Sequence, residues 1–362
     1  MNELSYTDYL FLNCFSTIQK RKEATIYYIL IGKRTISTML QCSQLDLEAY
    51  FNALSNLKYH VLQESVARLA ANGYINISNE NEYLLTSYGE KERDAFFEHH
   101  PSFKNKNQMT YTLVLEPIKT RVLFLLQVLS EIRHQNKRYY PIETNEKEQL
   151  WVKKLLSEQK LERSEYAKQF GKEMYVLLES FPEQEATIFT YQFEGHQHVR
   201  KTTEQIAQAM QKDEMEVKIM MQEGWLELLG KVVNAKEEFP VLSAVIQEII
   251  QEKGLASSSA ERTLQYFKQG YSLAEIVSIR KRKQSTIQDH FSELAMLYPS
   301  FPFQSFMDEE KYAYLRQLIS KKARVDYREI QAALPDITFF ESRLIQIASE
   351  VYYKNERRAV KN

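Results

Sequence analysis

The sequence predicts a mainly α-helical protein, a multi-domain array of helix-turn-helix units with one short β-hairpin. Three observations predict it. Glycine and proline are scarce, 9 and 8 among 362 residues, so the chain carries little of the punctuation that strands and turns demand. Apolar residues recur at helical spacing in one segment after another. Helix-start signals of the form Ser-x-x-Glu or Ser-x-x-Gln crowd into Leu255–Tyr298, where a cap serine and an acid or amide three residues on can satisfy each other's backbone N–H groups.

In chain order, Tyr6 to Gln19 predicts a first helix, Glu23 to Leu30 a second and Ile36 to Leu45 a short third. Leu62, Val66 and Leu69 stripe a helix over Leu57 to Asn72, which Gly73 ends. Tyr74–Ile77, the polar turn Ser78-Asn79-Glu80-Asn81 and Tyr83–Thr86 then make a hairpin signal. Helix, glycine, hairpin and the closing Leu85-Thr86-Ser87-Tyr88-Gly89 together resemble a winged helix. Its expected recognition helix offers Lys58, Tyr59, Gln63 and Arg68 but also Glu64, and its wing holds Glu80 and Glu82. An acidic wing repels phosphate, so protein contact is the expected role of this unit.

The polar stretch Asn105–Met109 reads as a linker, and helices follow over Leu113–Ile132, Glu148–Leu161 and Ser164–Ser180, with His134–Lys147 as a loop. Pro182 suits the first position of a new helix. The stretch from Glu179 to Leu229 resembles region four of sigma factors, with Thr203–Met210 and Glu214–Leu229 as the two helices of a helix-turn-helix. Glu214, Glu216, Glu223 and Glu227 leave its second helix a poor phosphate surface. The expected division is therefore a winged-helix-like domain over 1–104, a helical middle domain over 105–254 and a C-terminal helix-turn-helix domain over 255–362.

In the tail, Ser258/Glu261, Ser272/Glu275 and Ser285/Gln288 can each close a capping box. Leu264 and Phe267, then Leu273, Ile276 and Val277, then Ile287, Phe291 and Leu294 supply a three-helix core, and Gly270 sits where a left-handed residue ends the first helix. In that geometry the third helix, Ser285 to Met296, faces a DNA groove with its N-terminal residues. Arg280, Lys281, Arg282 and Lys283 stand at its mouth, where cations join the positive end of the helix dipole. Gln284, Ser285, Thr286, Gln288 and His290 complete the expected DNA-binding set, and Asp289 also lies off the apolar stripe.

The run from Tyr266 to Ala295 resembles the helicase-associated helix-turn-helix at the C-terminus of many bacterial RecQ-type helicases. Ala323 to Glu350, with a leucine-proline stop at Leu334-Pro335 and a last helix over Arg343, Ile347 and Ala348, resembles the second half of that module. With this tail and no motor, the chain is similar to the YpbB family of Gram-positive bacteria. That resemblance implies a non-enzymatic accessory protein of DNA repair or replication, which partners a RecQ-like helicase and supplies DNA-binding domains in trans. A helix-turn-helix transcription regulator is the alternative.

Charge supports a division of labour. Residues 1–100 carry 9 Lys/Arg against 12 Asp/Glu, residues 101–254 carry 21 against 23, and residues 255–362 carry 17 against 13, so the tail alone is basic. No charged leader and no apolar run long enough to span a bilayer is seen, so a cytoplasmic protein without membrane contact is expected. Cys14 and Cys42 have no metal-ligand or disulfide spacing. Gly32-Lys33-Arg34-Thr35 lacks the earlier glycine and preceding strand of a phosphate loop, and His196 and His198 lack a third ligand. No cofactor, metal or catalytic residue is therefore expected.

Overall fold

The computed structural model describes residues 4–78, 81–319 and 324–361, and of residues 352–361 the helical backbone only. It is mainly helical. In chain order the elements are α1 (Tyr6–Leu12), β1 (Arg21–Lys22), α2 (Glu23–Leu30), α3 (Ile36–Gln44), α4 (Tyr59–Ala71), β2 (Ile75–Ser78), β3 (Glu82–Leu85), α5 (Ser87–His99), α6 (Gln108–Tyr111) and α7 (Leu115–Arg133). Then come α8 (Glu146–Glu158), α9 (Arg163–Glu179), α10 (Glu183–Thr190), α11 (Thr203–Met210), α12 (Glu214–Asn234) and α13 (Pro240–Lys253). The tail holds α14 (Ser258–Lys268), α15 (Leu273–Arg280), α16 (Gln284–Leu297), α17 (Glu309–Ile319), α18 (Tyr327–Ala333) and α19 (Phe339–Lys361).

The chain folds as two compact units, Met1–Ile31 with Ala49–Glu252, and Gly32–Glu48 with Lys253–Asn362. Residues 32–48 thus lie inside the first stretch of the sequence but fold with its last.

In the first unit, the hairpin predicted around Tyr74–Thr86 forms as β2 and β3, antiparallel with Ile75 opposite Leu85. Asn79 and Glu80 lie outside the described residues. A third strand, β1, pairs Arg21 with Tyr83 and puts β3 in the centre. Gly73 turns the chain out of α4 at φ 75°, a conformation that costs a residue without Cβ little. Thr86 closes the hairpin: its hydroxyl accepts the N–H of Gly89 at 2.9 Å and donates to the carbonyl of Gly73 at 2.7 Å. The first helix is shorter than expected: it ends at Leu12, the N–H groups of Cys14 and Phe15 donate to Phe11 and Leu12 in tighter turns at 2.9 and 3.1 Å, and the Ser16 hydroxyl then accepts the N–H groups of Ile18 and Gln19, each at 3.2 Å. Pro182 sits at the N-cap of α10 rather than at its first position.

Asn105–Met109, expected to be a linker, is packed. Gln108 and Met109 are buried, Gln108 donates to the Phe51 carbonyl at 3.1 Å, and the Glu223 carboxylate accepts the N–H of Asn105 at 3.0 Å. Deeper in, the wholly buried Trp225 donates to Gln192 at 3.0 Å beside Phe189, and the buried Glu173 of α9 accepts the N–H groups of Val241 and Leu242 at the start of α13.

In the second unit α16 is central, packing against α14, α15, α19 and α3. Ile276, Ile287, Phe291 and Leu294 from the predicted stripe are fully buried with Leu344, Ile345 and Ile347 of α19. Phe267 and Phe306 close over Phe291, at ring separations of 5.5 and 4.6 Å.

Candidate nucleic-acid interface

α14, α15 and α16 form the helix-turn-helix, and local capping explains where each begins. The middle box forms as predicted: Ser272 accepts the N–H of Glu275, whose carboxylate accepts the N–H of Ser272 at 2.8 Å. The first cap shifts by one residue. Ser257, not Ser258, accepts the N–H of Ala260, and Glu261 instead accepts the N–H of Ala256 at 2.8 Å and the phenol of Tyr298. The predicted third box does not form, because α16 begins at Gln284 and puts Ser285 inside its first turn. Lys283 takes the N-cap position, and no side chain caps the helix. The positive end of α16 is therefore bounded by a cation rather than by an acceptor.

The turn into α16 has three residues. Lys281 is left-handed at φ 50°, ψ 47°, a conformation more often held by glycine or asparagine, and Arg282 and Lys283 follow. Lys281, Arg282 and Lys283 are exposed, and none forms an ion pair among the described residues. Gln284 and Ser285 are exposed beside them, with Thr286 and Gln288 half-buried and Asp289 exposed.

Two of the expected residues turn inward. Arg280 donates to the Ser259 carbonyl at 2.6 Å, to the Ser259 hydroxyl at 3.0 Å and to the Thr263 hydroxyl, and lies 3.2 Å from Nδ1 of His290. His290 is 8% exposed, and its Nδ1 also meets the Thr263 hydroxyl at 2.8 Å. Arg280 and His290 thus pin α15 and α16 to α14. Burial, with Arg280 beside it, holds the imidazole pKa below its ordinary value. Burial and the neighbouring Arg262 and Arg282 likewise lower that of Arg280. Arg262, exposed on α14, joins this basic corner from outside the sequence-predicted set. It is the fifth residue of α14, and no local sequence pattern marks it.

The corresponding polar residues of the first unit are engaged differently. Tyr59 and Gln63 of α4 donate to Glu23 at 2.7 and 3.3 Å, and Arg68 pairs with the buried Asp8 at 2.8 Å. The hydrogen bond to Glu23, with burial behind it, pushes the Tyr59 phenol up to about 12. Although burial opposes it, hydrogen bonds from Ser65, Ser5 and Arg68 hold the Asp8 carboxyl below the usual range.

Among the described residues no group of histidine, cysteine and carboxylate side chains could hold a metal ion. His196 instead contacts Glu131 at 3.1 Å and stacks on His134. Among the same residues no helix is long and apolar enough to cross a membrane.

Residues 259–346, from α14 into α19, match the family described as "Helix-turn-helix domain". The whole chain is similar to Protein YpbB of Bacillus subtilis (strain 168), 24% identical over 345 residues that cover 94% of this chain and 97% of that protein. No solved structure matches.

Proposed function

We propose that the chain binds DNA through the turn Lys281–Lys283 and the first turn of α16, with Arg262 adding a further phosphate contact. The observation that carries this is three adjacent exposed cations, unpaired among the described residues, at a helix N-terminus that no side chain caps. Gln284, Ser285 and Gln288 lie next to them on α16 and are the residues placed to meet base edges or sugar. Arg280 and His290 hold the three helices together and contact no DNA.

The protein acts as a non-enzymatic accessory factor that supplies this domain to a RecQ-like helicase. The likeness of the tail to the helicase-associated helix-turn-helix supports that role. The arrangement of α2, α4 and the β2–β3 hairpin supports a winged helix in the first unit that contacts protein, since its polar recognition-helix side chains are already bonded to Glu23 and Asp8.

The test is a salt titration of duplex binding by the full chain and by a Lys281→Ala/Arg282→Ala/Lys283→Ala variant. The variant should lose affinity about equally on unrelated sequences, and the slope of log affinity against log salt should shrink by roughly 0.9 for each lost contact. An unchanged slope in a folded variant excludes the turn as the DNA contact. Nanomolar preference for one palindrome would make the protein a transcription regulator instead. The helicase role predicts that a RecQ-like helicase without its own C-terminal helix-turn-helix co-elutes with the full chain and binds duplex more tightly in the complex.

A further inference from the structure

We propose that Gly32–Glu48 is a working part of the helix-turn-helix domain, and that Arg34 is the residue that positions α16, acting through Glu293. The effect on binding rests on the DNA-binding role proposed above; the effect on positioning does not. Sequence order places this segment far from the tail, yet it folds with Lys253–Asn362. Thr35 caps α3 by accepting the N–H of Thr38, and Met39, Leu40 and Cys42 are buried where α3 packs on α16 and α19.

The joint is a single buried carboxylate. Arg34 donates to Oε1 of Glu293 from Nε at 3.2 Å and from Nη2 at 2.7 Å, and Nη2 also reaches the Leu255 carbonyl at 3.3 Å. The other ligands of Glu293 come from Ser257, whose N–H donates to Oε1 at 2.9 Å and whose hydroxyl donates to Oε2 at 2.7 Å. Ser257 is the N-cap of α14. One carboxylate on α16 therefore ties α3's leading turn and the start of α14 to one point. The side chains of Arg34 and Glu293 are 16% and 7% exposed, so water cannot replace the guanidinium cheaply. Without Arg34, Glu293 keeps only neutral donors, and a buried carboxylate in that state draws in water or swings outward. Either response shifts α16 against α14. Glu293 stands nine residues along the helix from Gln284, about 13 Å at helical rise, so Arg34 itself is remote from the basic turn.

The experiment uses the full chain as wild type, Arg34→Ala and Arg34→Lys, with hydrogen exchange read across the molecule and duplex binding read against salt. In Arg34→Ala, exchange should rise about tenfold or more at the start of α14 and along α16, while α7 and α9 are unchanged. Duplex affinity should fall with an unaltered salt slope, because no phosphate contact is removed. Lysine can reach Oε1 but not the Leu255 carbonyl as well, and should restore part of both losses. If Arg34→Ala does not fold, Arg34→Met combined with Glu293→Gln exchanges the ion pair for a neutral one. Recovery of protection in that pair, beyond either single change, supports the coupling.

Unchanged exchange in α14 and α16 overturns the proposal, as does a lowered salt slope, which would make Arg34 a phosphate contact. Equal loss in the lysine and alanine variants also overturns it. A wild-type protein that binds no duplex defeats the DNA role alone, and the positioning role then stands or falls on hydrogen exchange.

Discussion

The chain contains the same turn twice, once neutral and once basic. α11 and α15 are each eight residues long, each opens on a capping box, Thr202 with Gln205 and Ser272 with Glu275, and each ends in a left-handed residue, Gln211 at φ 52° and Lys281 at φ 50°. Three residues later the next helix begins. In the first unit that turn reads Gln211-Lys212-Asp213 and leads into Glu214; in the second it reads Lys281-Arg282-Lys283 and leads into Gln284. Asp213 caps α12 by accepting the N–H of Met215 at 2.7 Å, Lys212 pairs with the buried Glu216, and Lys218 pairs with Glu214 at 2.8 Å. At α12 the dipole and the cations are met inside the protein; at α16 neither is. The backbone geometry of the two turns is the same, and they differ at the N-cap of the second helix, where Asp213 accepts a backbone N–H and Lys283 does not.

The largest expected effect comes from writing one turn onto the other. Lys281→Gln, Arg282→Lys and Lys283→Asp together should lower duplex affinity by at least about 10²-fold at low salt, since two cations go and an anion enters. The same variant should melt higher, by roughly 1 kcal/mol of added stability, because Lys283→Asp caps α16 as Asp213 caps α12. Binding lost and stability gained in one protein would sharpen the contrast; retained binding would break it.

Next in size is Arg280→Ala. It strips donors from the Ser259 carbonyl and the Thr263 hydroxyl and should cost about 1–3 kcal/mol in thermal unfolding, with the salt slope of DNA binding unchanged. Asp213→Ala, at the neutral turn, should cost about 1 kcal/mol as a lost cap and leave duplex affinity unchanged.

The smallest effect is a pH dependence. The folded pKa of His290 is depressed below its unfolded value of 6.5, so as pH falls below 6.5 the unfolded chain takes up a proton that the folded one resists. Stability that is complete above that pH should decline toward the folded pKa. His290→Gln should flatten this part of the profile in melts between about pH 5 and 7.5.

What was legible in the sequence was local. The Ser272/Glu275 box, Gly270 and the Ile287-Phe291-Leu294 stripe each depend on residues within one or two turns, and the helix-turn-helix followed from them, as the hairpin did from the alternation around its polar turn. What was hidden was nonlocal. Gly32-Lys33-Arg34-Thr35 shows locally only an incomplete phosphate loop, because the carboxylate that gives Arg34 its place is 259 residues away. Arg280 and His290 look like a fourth cation and a groove-facing side chain until Thr263 and Ser259 of α14 are brought against them. β1 is only two residues long and has no period to detect, and it exists only because β3 offers it an edge.

The central claim, that one of two matching turns meets DNA and the other does not, is tested most directly by placing a short photocrosslinker at the first residue of each second helix. Glu214→Cys and Gln284→Cys, each labelled in a full chain whose buried Cys14 and Cys42 are left in place, would be irradiated with the same duplex at low salt. The account predicts crosslinking from position 284 that fades as salt rises, and background from position 214. Equal crosslinking from both positions, or crosslinking from 214 alone, would contradict it.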